Sequence, residues 1–172
     1  PQCRKPLETL PLGGRERQAC PDYQCGFVHW NNPIPVVAAI VEHDDHIVLV
    51  RNVGWPKTWY GLVTGFLEAG EMPAEGVLSD VAEEVGLKAT LQSYLGMYEF
   101  HRANQLLIHY HVTVDSKDVI FPKDEIADYK WVHIEKVQPW TAGTGRALQD
   151  WLATRGIERD LVEFEHANRE SD

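Results

Sequence analysis

The segment GFLEAGEMPAEGVLSDVAEEVGL, residues 65–87, carries the strongest helix signal in this 172-residue chain. Pro73 and Gly86 are typical of the first position of a helix and of the residue that ends it, which predicts a helix over 73–85. Within that range five apolar residues share one face of a helical wheel, namely Ala74, Val77, Leu78, Val81 and Val85. The segment therefore predicts an amphipathic helix with one buried face.

The same helix gathers acidic side chains on a second face. Asp80, Glu83 and Glu84 share it, and no Lys or Arg occurs between Lys57 and Lys88 to neutralise them. Like charges at this spacing repel each other by some tenths of a kcal/mol per pair. A solvated acidic face and a site for Mg²⁺ or Mn²⁺ both remain open from the residues alone, and the absence of cations favours the metal site.

The spacing resembles the Nudix box, the pattern G-x5-E-x7-R-E-U-x-E-E-x-G-U in which U is aliphatic. The matching residues are Gly65, Glu71, Val81, Glu83, Glu84, Gly86 and Leu87. Ser79 stands where the family has Arg, and Asp80 stands where it has Glu. The chain is thus similar to Nudix hydrolases, in particular to the NADH pyrophosphatase and ADP-ribose pyrophosphatase group.

The resemblance implies a fold, a reaction and a set of site residues. The fold would be an α/β (α+β) Nudix fold, with a mixed β-sheet sandwiched between helices. The reaction would be metal-dependent hydrolysis of the pyrophosphate bond of a nucleoside diphosphate linked to another moiety. Mg²⁺ or Mn²⁺ would be held by Gly65, Glu71, Asp80, Glu83 and Glu84, with Glu83, Glu84 and Glu125 as the catalytic residues. The general base would be Glu84 or Glu125.

The two departures at positions 79 and 80 keep a second interpretation open. In the family the Arg helps to orient a catalytic Glu, and Asp is one methylene shorter than Glu. A catalytically weakened Nudix-fold module that binds or senses a nucleotide is therefore the alternative to an active enzyme.

All three cysteines, Cys3, Cys20 and Cys25, lie in the first 25 residues. This segment resembles the zinc ribbon that precedes some Nudix domains, which implies a structural Zn²⁺ bound by these thiolates. Three incidental thiols are the alternative. His29 is a candidate for a fourth ligand, although a surface His beside a strand is the simpler interpretation.

The remaining chain indicates the domain organisation and the other elements. Residues 1–34 are expected to form a loop-dominated, zinc-ribbon-like segment, 35–155 the Nudix domain and 156–172 a polar tail. Strands are predicted at 35–41, 46–51, 59–63, 91–101, 106–114 and 129–134, and a second amphipathic helix at 145–154. Trp59, Tyr60 and Phe100 flank the box and are candidates for binding the base or sugar of the substrate.

Charge and composition limit the classes of partner that the chain is expected to have. The formal net charge of -10, without a basic stripe, argues against a nucleic-acid partner and leaves a small-molecule nucleotide as the expected one. The chain has no apolar run of the roughly 20 residues that a membrane span needs and no apolar N-terminal leader, so neither a membrane nor secretion is expected. The expected location is the cytoplasm. The family resemblance leaves a homodimer open.

Overall fold

The computed structural model describes residues 1–164 and divides into one unit over Pro1–Pro33 and a second that begins at Ile34. The first unit is a three-stranded antiparallel sheet of β1 (Glu8–Leu12), β2 (Arg15–Ala19) and β3 (Val28–His29). The strands, which were not predicted, account for 12 of these 33 residues, and turns and loops account for the rest. Gly13 and Gly14 both have positive φ, of 60° and 75°, which gives the two-residue turn that joins a tight β-hairpin.

The second unit is built on a six-stranded mixed sheet. Its strands are β4 (Ile34–His43), β5 (His46–Asn52), β6 (Val63–Phe66), β7 (Ala89–Phe100), β8 (Gln105–Val114) and β9 (Ile126–His133). The order is β7-β8-β4-β5-β9, with β6 also paired to β4. β4 runs parallel to β8 and antiparallel to its other partners. A short 3₁₀ turn at His101–Ala103 joins β7 to β8.

One helix covers each face of this sheet. Helix α1 (Pro73–Val85) buries Val77, Val81 and Val85 against alternate residues of β4, whereas α2 (Gly145–Ala153) packs Leu148, Trp151 and Leu152 against the opposite face. The predicted mixed sheet between helices is confirmed. The buried centre of β4 explains the uninterrupted apolar run in its sequence, because a strand covered on both faces has no solvent-facing side.

The segment before the box differs from its predicted structure. A strand was predicted over 59–63, but β6 begins at Val63, and earlier only Gly61 forms an isolated bridge, to Val50. Antiparallel pairing with β4 determines where β6 lies, and it places Val63 opposite Ala39 and Phe66 opposite Val36. Local β-propensity at Trp59 and Tyr60 is therefore overridden by a partner strand that is distant in sequence.

The segment that follows α2 is tied to the sheet. The Arg155 guanidinium donates to both carboxylate oxygens of Glu42, at 2.5 and 2.6 Å, and His111 Nε2 lies 2.6 Å from the same carboxylate. Further along, Val162 bridges to Trp140. The described part of the predicted polar tail is therefore paired with the domain, and residues 165–172 of that prediction lie outside the described residues. In the described part of the chain, no helix has the length and apolarity to cross a membrane.

His109 on β8 is a buried titratable group beneath α2. It is fully buried, and its ring lies edge-on to Tyr98 with the centroids 5.1 Å apart. Burial lowers the pKa of His109 from 6.5 to about 4, because a charged imidazolium would lose its hydration there.

We therefore expect the contribution of His109 to the free energy of unfolding to decrease as the pH falls from 6.5 towards 4. Above pH 6.5 His109 is neutral in both the folded and the unfolded state. As the pH falls below 6.5, the unfolded state binds a proton that the folded state does not bind, and this lowers the free energy of unfolding by about 3 kcal/mol at pH 4. Urea unfolding at a series of pH values measures this loss as the difference in the free energy of unfolding between the unmodified chain and His109→Phe, in which the titrations of all other groups cancel. This difference should shrink as the pH falls, whereas the difference for the exposed His101→Phe should stay constant. Identical pH profiles for His109→Phe and the unmodified chain would contradict the assignment.

Candidate active site

Helix α1 is fixed at both ends by backbone chemistry. Pro73 occupies its first turn, where a missing N–H costs nothing. Gly86 ends it with a left-handed φ of 68°, and its N–H donates to the Ala82 carbonyl at 3.1 Å. A side chain at Gly86 would also place its Cβ 2.4 Å from the Ile120 carbonyl oxygen. These constraints set the rotation of the helix and hence the direction of its acidic side chains.

Gly65 in β6 lies directly against one of those side chains. A Cβ at this position would lie 2.1 Å from Asp80 Oδ2 and 2.2 Å from Asp80 Cγ. A side chain at this position would overlap the Asp80 carboxylate and force it to move. The glycine is therefore required for close approach of the strand backbone to the carboxylate.

The acidic face of α1 opens into a cavity of about 400 Å³. Its lining residues are Gly65, Phe66, Glu68, Glu71, Ser79, Asp80, Glu83, Glu84 and Glu125. The structure thus brings together all six residues predicted for the metal and catalytic roles. Phe66 and Glu68 were not predicted for the site, although Phe66 is 58% exposed beside the acids. An exposed aromatic residue inside the box is the sequence signal that could have found Phe66.

Mutual repulsion and burial raise the pKa of two of these carboxyl groups. Burial, followed by the charges of Asp80 and Glu125, raises the pKa of Glu84 to about 8. Burial, followed by the charges of Glu83 and Glu71, raises the pKa of Asp80 to about 6. The site therefore holds more negative charge than its surroundings can stabilise, which is the condition that a bound cation relieves.

The donor set fits a hard divalent cation. Asp80 Oδ2 is buried and has no hydrogen-bond partner among the described residues. The cavity presents carboxylate and backbone oxygens, and neither Lys nor Arg is among its lining residues. Oxygen ligands of this kind suit Mg²⁺ and Mn²⁺.

The candidate substrate residues lie elsewhere. Trp59, Tyr60 and Phe100 are not among the residues that line the cavity. The Tyr60 hydroxyl donates to Asp128 Oδ2 at 2.6 Å, and the Trp59 ring packs against Phe164. The structure accounts for the first two through contacts within the domain.

The three cysteines converge in the first unit. The sulfur atoms of Cys3, Cys20 and Cys25 all lie within 4.8 Å of one another, and those of Cys3 and Cys20 are 3.3 Å apart. Backbone hydrogen bonds from Cys3 and Phe27 lower the pKa of the Cys25 thiol to about 7. Within residues 1–164 this is the only group of three or more His, Cys, Asp or Glu side chains with ligand atoms so close, and His29 is not part of it.

Comparison with known proteins agrees with this geometry. The NUDIX domain family model matches residues 32–151. The chain belongs to the Nudix family. It is 27% identical over 150 residues to the NAD-capped RNA hydrolase NudC of Pseudomonas aeruginosa, which covers 87% of this chain and 49% of that protein. The protein of the same name in Mycobacterium tuberculosis is 33% identical over 120 residues, which cover 68% of this chain and 36% of that protein.

A solved structure shows the same fold. The crystal structure of a NUDIX hydrolase from Nitrosomonas europaea matches with a TM-score of 0.71 at 18% identity, over 91% of this chain and 90% of that chain. The predicted Nudix fold is therefore confirmed. The chain spans about half the length (49%) of the Pseudomonas NudC relative.

Ser79, at the arginine position of the Nudix box, contacts an acid of the same helix. The Ser79 hydroxyl, which stands at the arginine position, donates to Glu83 Oε1 at 3.4 Å. Glu71 is held separately, because its Oε2 accepts the Glu68 N–H at 3.2 Å. Two acids of the box therefore have hydrogen-bond donors that restrict their orientation.

Replacing Gly65 should disable the site while a matched glycine change should not. In Gly65→Ala the new methyl group overlaps the Asp80 carboxylate, so we expect Mn²⁺ affinity to fall by about tenfold or more and stability to fall by about 1–3 kcal/mol. Gly61→Ala is the control, because its Cβ would make an ordinary 3.5 Å contact with Trp55. Titration calorimetry with Mn²⁺ measures the difference, and equal affinities in the two variants would contradict it.

Proposed function

We propose that this chain hydrolyses the pyrophosphate bond of a nucleoside diphosphate linked to a second moiety, with Mg²⁺ or Mn²⁺ as its cofactor. The observation that carries the proposal is the cavity that Asp80, Glu83, Glu84 and Glu125 line together with Gly65, against which Asp80 packs directly. A site with this much negative charge attracts a diphosphate only when divalent cations are present, because the cations neutralise both partners.

The ligand assignment is the one that the Nudix resemblance implies. Glu83 and Glu84 would be the principal ligands, with Asp80, Glu71 and the Gly65 carbonyl in support. The buried, unpartnered Asp80 Oδ2 and the raised pKa of Glu84 support this assignment. The bound ion supplies charge neutralisation at the phosphate oxygens and a more acidic water.

Glu125 would accept the proton of the attacking water. It lies in the loop before β9, lines the cavity, and is close enough that its charge contributes to the raised pKa of Glu84. Its side chain is exposed and is thus free to reach a water molecule at the substrate. Proton transfer by a positioned carboxylate contributes about 10²–10⁴-fold to a rate.

The substrate is proposed at the level of its chemistry. The NudC relatives carry the name NAD-capped RNA hydrolase, which points to dinucleotides of the NAD type, free or at the end of an RNA. The net charge of -10 favours a free nucleotide over RNA, since the chain offers little charge to neutralise an RNA backbone. ADP-ribose, NADH and NAD-capped RNA therefore form the test panel.

The activity test uses variants of the box. Release of nucleoside monophosphate is measured across the panel with Mg²⁺ or Mn²⁺. Glu84→Gln should lower kcat about 100-fold or more and also weaken Mn²⁺ binding, and Glu125→Gln should lower kcat similarly without changing Mn²⁺ affinity. Glu75→Gln is the control, because Glu75 is an exposed acid of the same helix that does not line the cavity.

Three outcomes would revise the proposal. Near-normal turnover by a folded Glu84→Gln protein would reject the metal-ligand assignment. Nucleotide binding with no turnover of any compound would favour the nucleotide-sensing alternative that the substitutions at Ser79 and Asp80 left open. Preference for capped RNA, with an affinity that falls steeply with salt, would make a nucleic acid the substrate.

For the first unit we propose a structural Zn²⁺ held by Cys3, Cys20 and Cys25. Convergence of the three sulfurs and the lowered pKa of Cys25 support it, since thiolates are the form that binds zinc. The purified chain should contain close to one zinc ion, and Co²⁺ substitution should give a thiolate charge-transfer band. Cys20→Ser should abolish both signals, and His29→Ala should change neither. A metal-free protein with three titratable thiols would contradict the site.

A further inference from the structure

Phe164 is surrounded by tryptophan side chains contributed by two separate parts of the second unit. Its ring centroid lies 6.0 Å from that of Trp55, 5.2 Å from that of Trp59 and 5.3 Å from that of Trp140. All three pairs are edge-on, with interplanar angles of 89°, 80° and 75°. Edge-on aromatic pairs at these separations are favourable beyond the apolar area that they bury.

The segment that carries this ring, residues 160–164, is here called the C-terminal clamp. It is joined to the chain before α2 by backbone pairing, in which Thr141 N–H donates to the Val162 carbonyl at 2.9 Å and Val162 N–H donates to the Pro139 carbonyl at 3.2 Å. Gln138 Nε2 also donates to the Asp160 carbonyl. These bonds aim Phe164 at the tryptophans without using its own side chain.

Two of the tryptophans belong to the loop that joins β5 to β6, residues 53–60, here called the tryptophan loop. Trp55 and Trp59 are 6.3 Å apart between ring centroids, and the Trp55 ring lies over Gly61. The backbone of the loop has few bonds of its own, from Trp55 N–H to the Asn52 carbonyl at 3.1 Å and from Trp59 N–H to the Pro56 carbonyl at 3.0 Å. Its conformation therefore depends strongly on what its rings contact.

The tryptophan loop is bonded at both ends to the segment that carries Glu125. Val53 N–H donates to the Glu125 carbonyl at 2.8 Å, and the Tyr60 hydroxyl donates to Asp128 Oδ2 at 2.6 Å. Between these two bonds the pairing of β5 with β9 is irregular. Arg51 pairs with Asp128 but the next residue, Asn52, pairs with Ile126, so the register shifts there. Glu125 therefore depends on the loop for part of its backbone support.

From these contacts we infer that Phe164 is a positioning residue, which fixes the tryptophan loop and, through the hydrogen bond from Val53 to Glu125, holds Glu125 at the cavity. The inference deepens the proposed function and rests on it for the role of Glu125. A displacement of about 1 Å at a reacting group can cost on the order of 100-fold in rate, so a clamp remote from the chemistry can control turnover.

Removing the clamp ring should lower turnover without changing cation binding. Phe164→Ala should decrease kcat about tenfold with KM and Mn²⁺ affinity little changed, and Phe164→Tyr, which keeps the ring, should restore most of kcat. Tyr94→Ala is the control, because it removes a half-exposed ring of the same unit that contacts Tyr110 and not the tryptophan loop.

A double-mutant cycle separates positioning from general stabilisation. If Phe164 acts through Glu125, then Phe164→Ala should cause no further loss of kcat in the Glu125→Gln background. An equal loss in both backgrounds would overturn the inference. Full activity of Glu125→Gln would also overturn it, and would separately reject the proposed proton acceptor.

Amide hydrogen exchange tests the clamp independently of activity. In Phe164→Ala the Val53 amide should exchange at least tenfold faster, while that of Val112 in the core of the sheet should change much less. Unchanged exchange at Val53, or equal acceleration at both amides, would show that the ring does not hold the loop. Because hydrogen exchange does not depend on turnover, it tests whether Phe164 holds the tryptophan loop even if no compound of the substrate panel is hydrolysed.

Discussion

The close approach of Asp80 to the backbone of Gly65 is the constraint on which the arrangement of the cavity depends. It requires a residue without a side chain in β6, and it fixes the distance between that strand and the acidic face of α1. The resulting burial and crowding of acids oppose folding while the acids are ionised, as the raised pKa values of Glu84 and Asp80 show. Burial of Val77, Val81 and Val85, at about 1.5–3 kcal/mol each, opposes this effect and keeps the helix in place.

The balance between these effects gives the site its chemistry. The apolar face of α1 holds the acidic face where burial and repulsion raise the pKa of Glu84 to about 8. Such a group is unstable alone and is well suited to share a cation with its neighbours. The Ser79 hydroxyl, at the position where the family pattern has an arginine, donates to Glu83 Oε1 at 3.4 Å. The site thus departs from the family sequence while keeping its acids together.

The sequence predicted those features that local chemistry determines. The helix over 73–85 was predicted at both ends, because Pro73 and Gly86 act within one turn of the residues that they affect. The convergence of Gly65 and Glu125 on the acids came from the family resemblance, since they lie on separate elements. The start of β6 was mispredicted because pairing with β4 determines it. The contacts of Trp59 and Tyr60 were also missed, because Phe164 and Asp128 are far away in sequence.

The parallel pairing at the centre of the sheet has a consequence for biosynthesis. β4 pairs with its hairpin neighbour β5 soon after both leave the ribosome, but its other long edge must wait for β8, whose first residue Gln105 pairs with Ile34. During that interval the nascent chain exposes an apolar strand with unpaired backbone groups, which is a template for association with other chains. The separation of β8 from β4 in the sequence therefore sets how long this edge stays unpaired during translation.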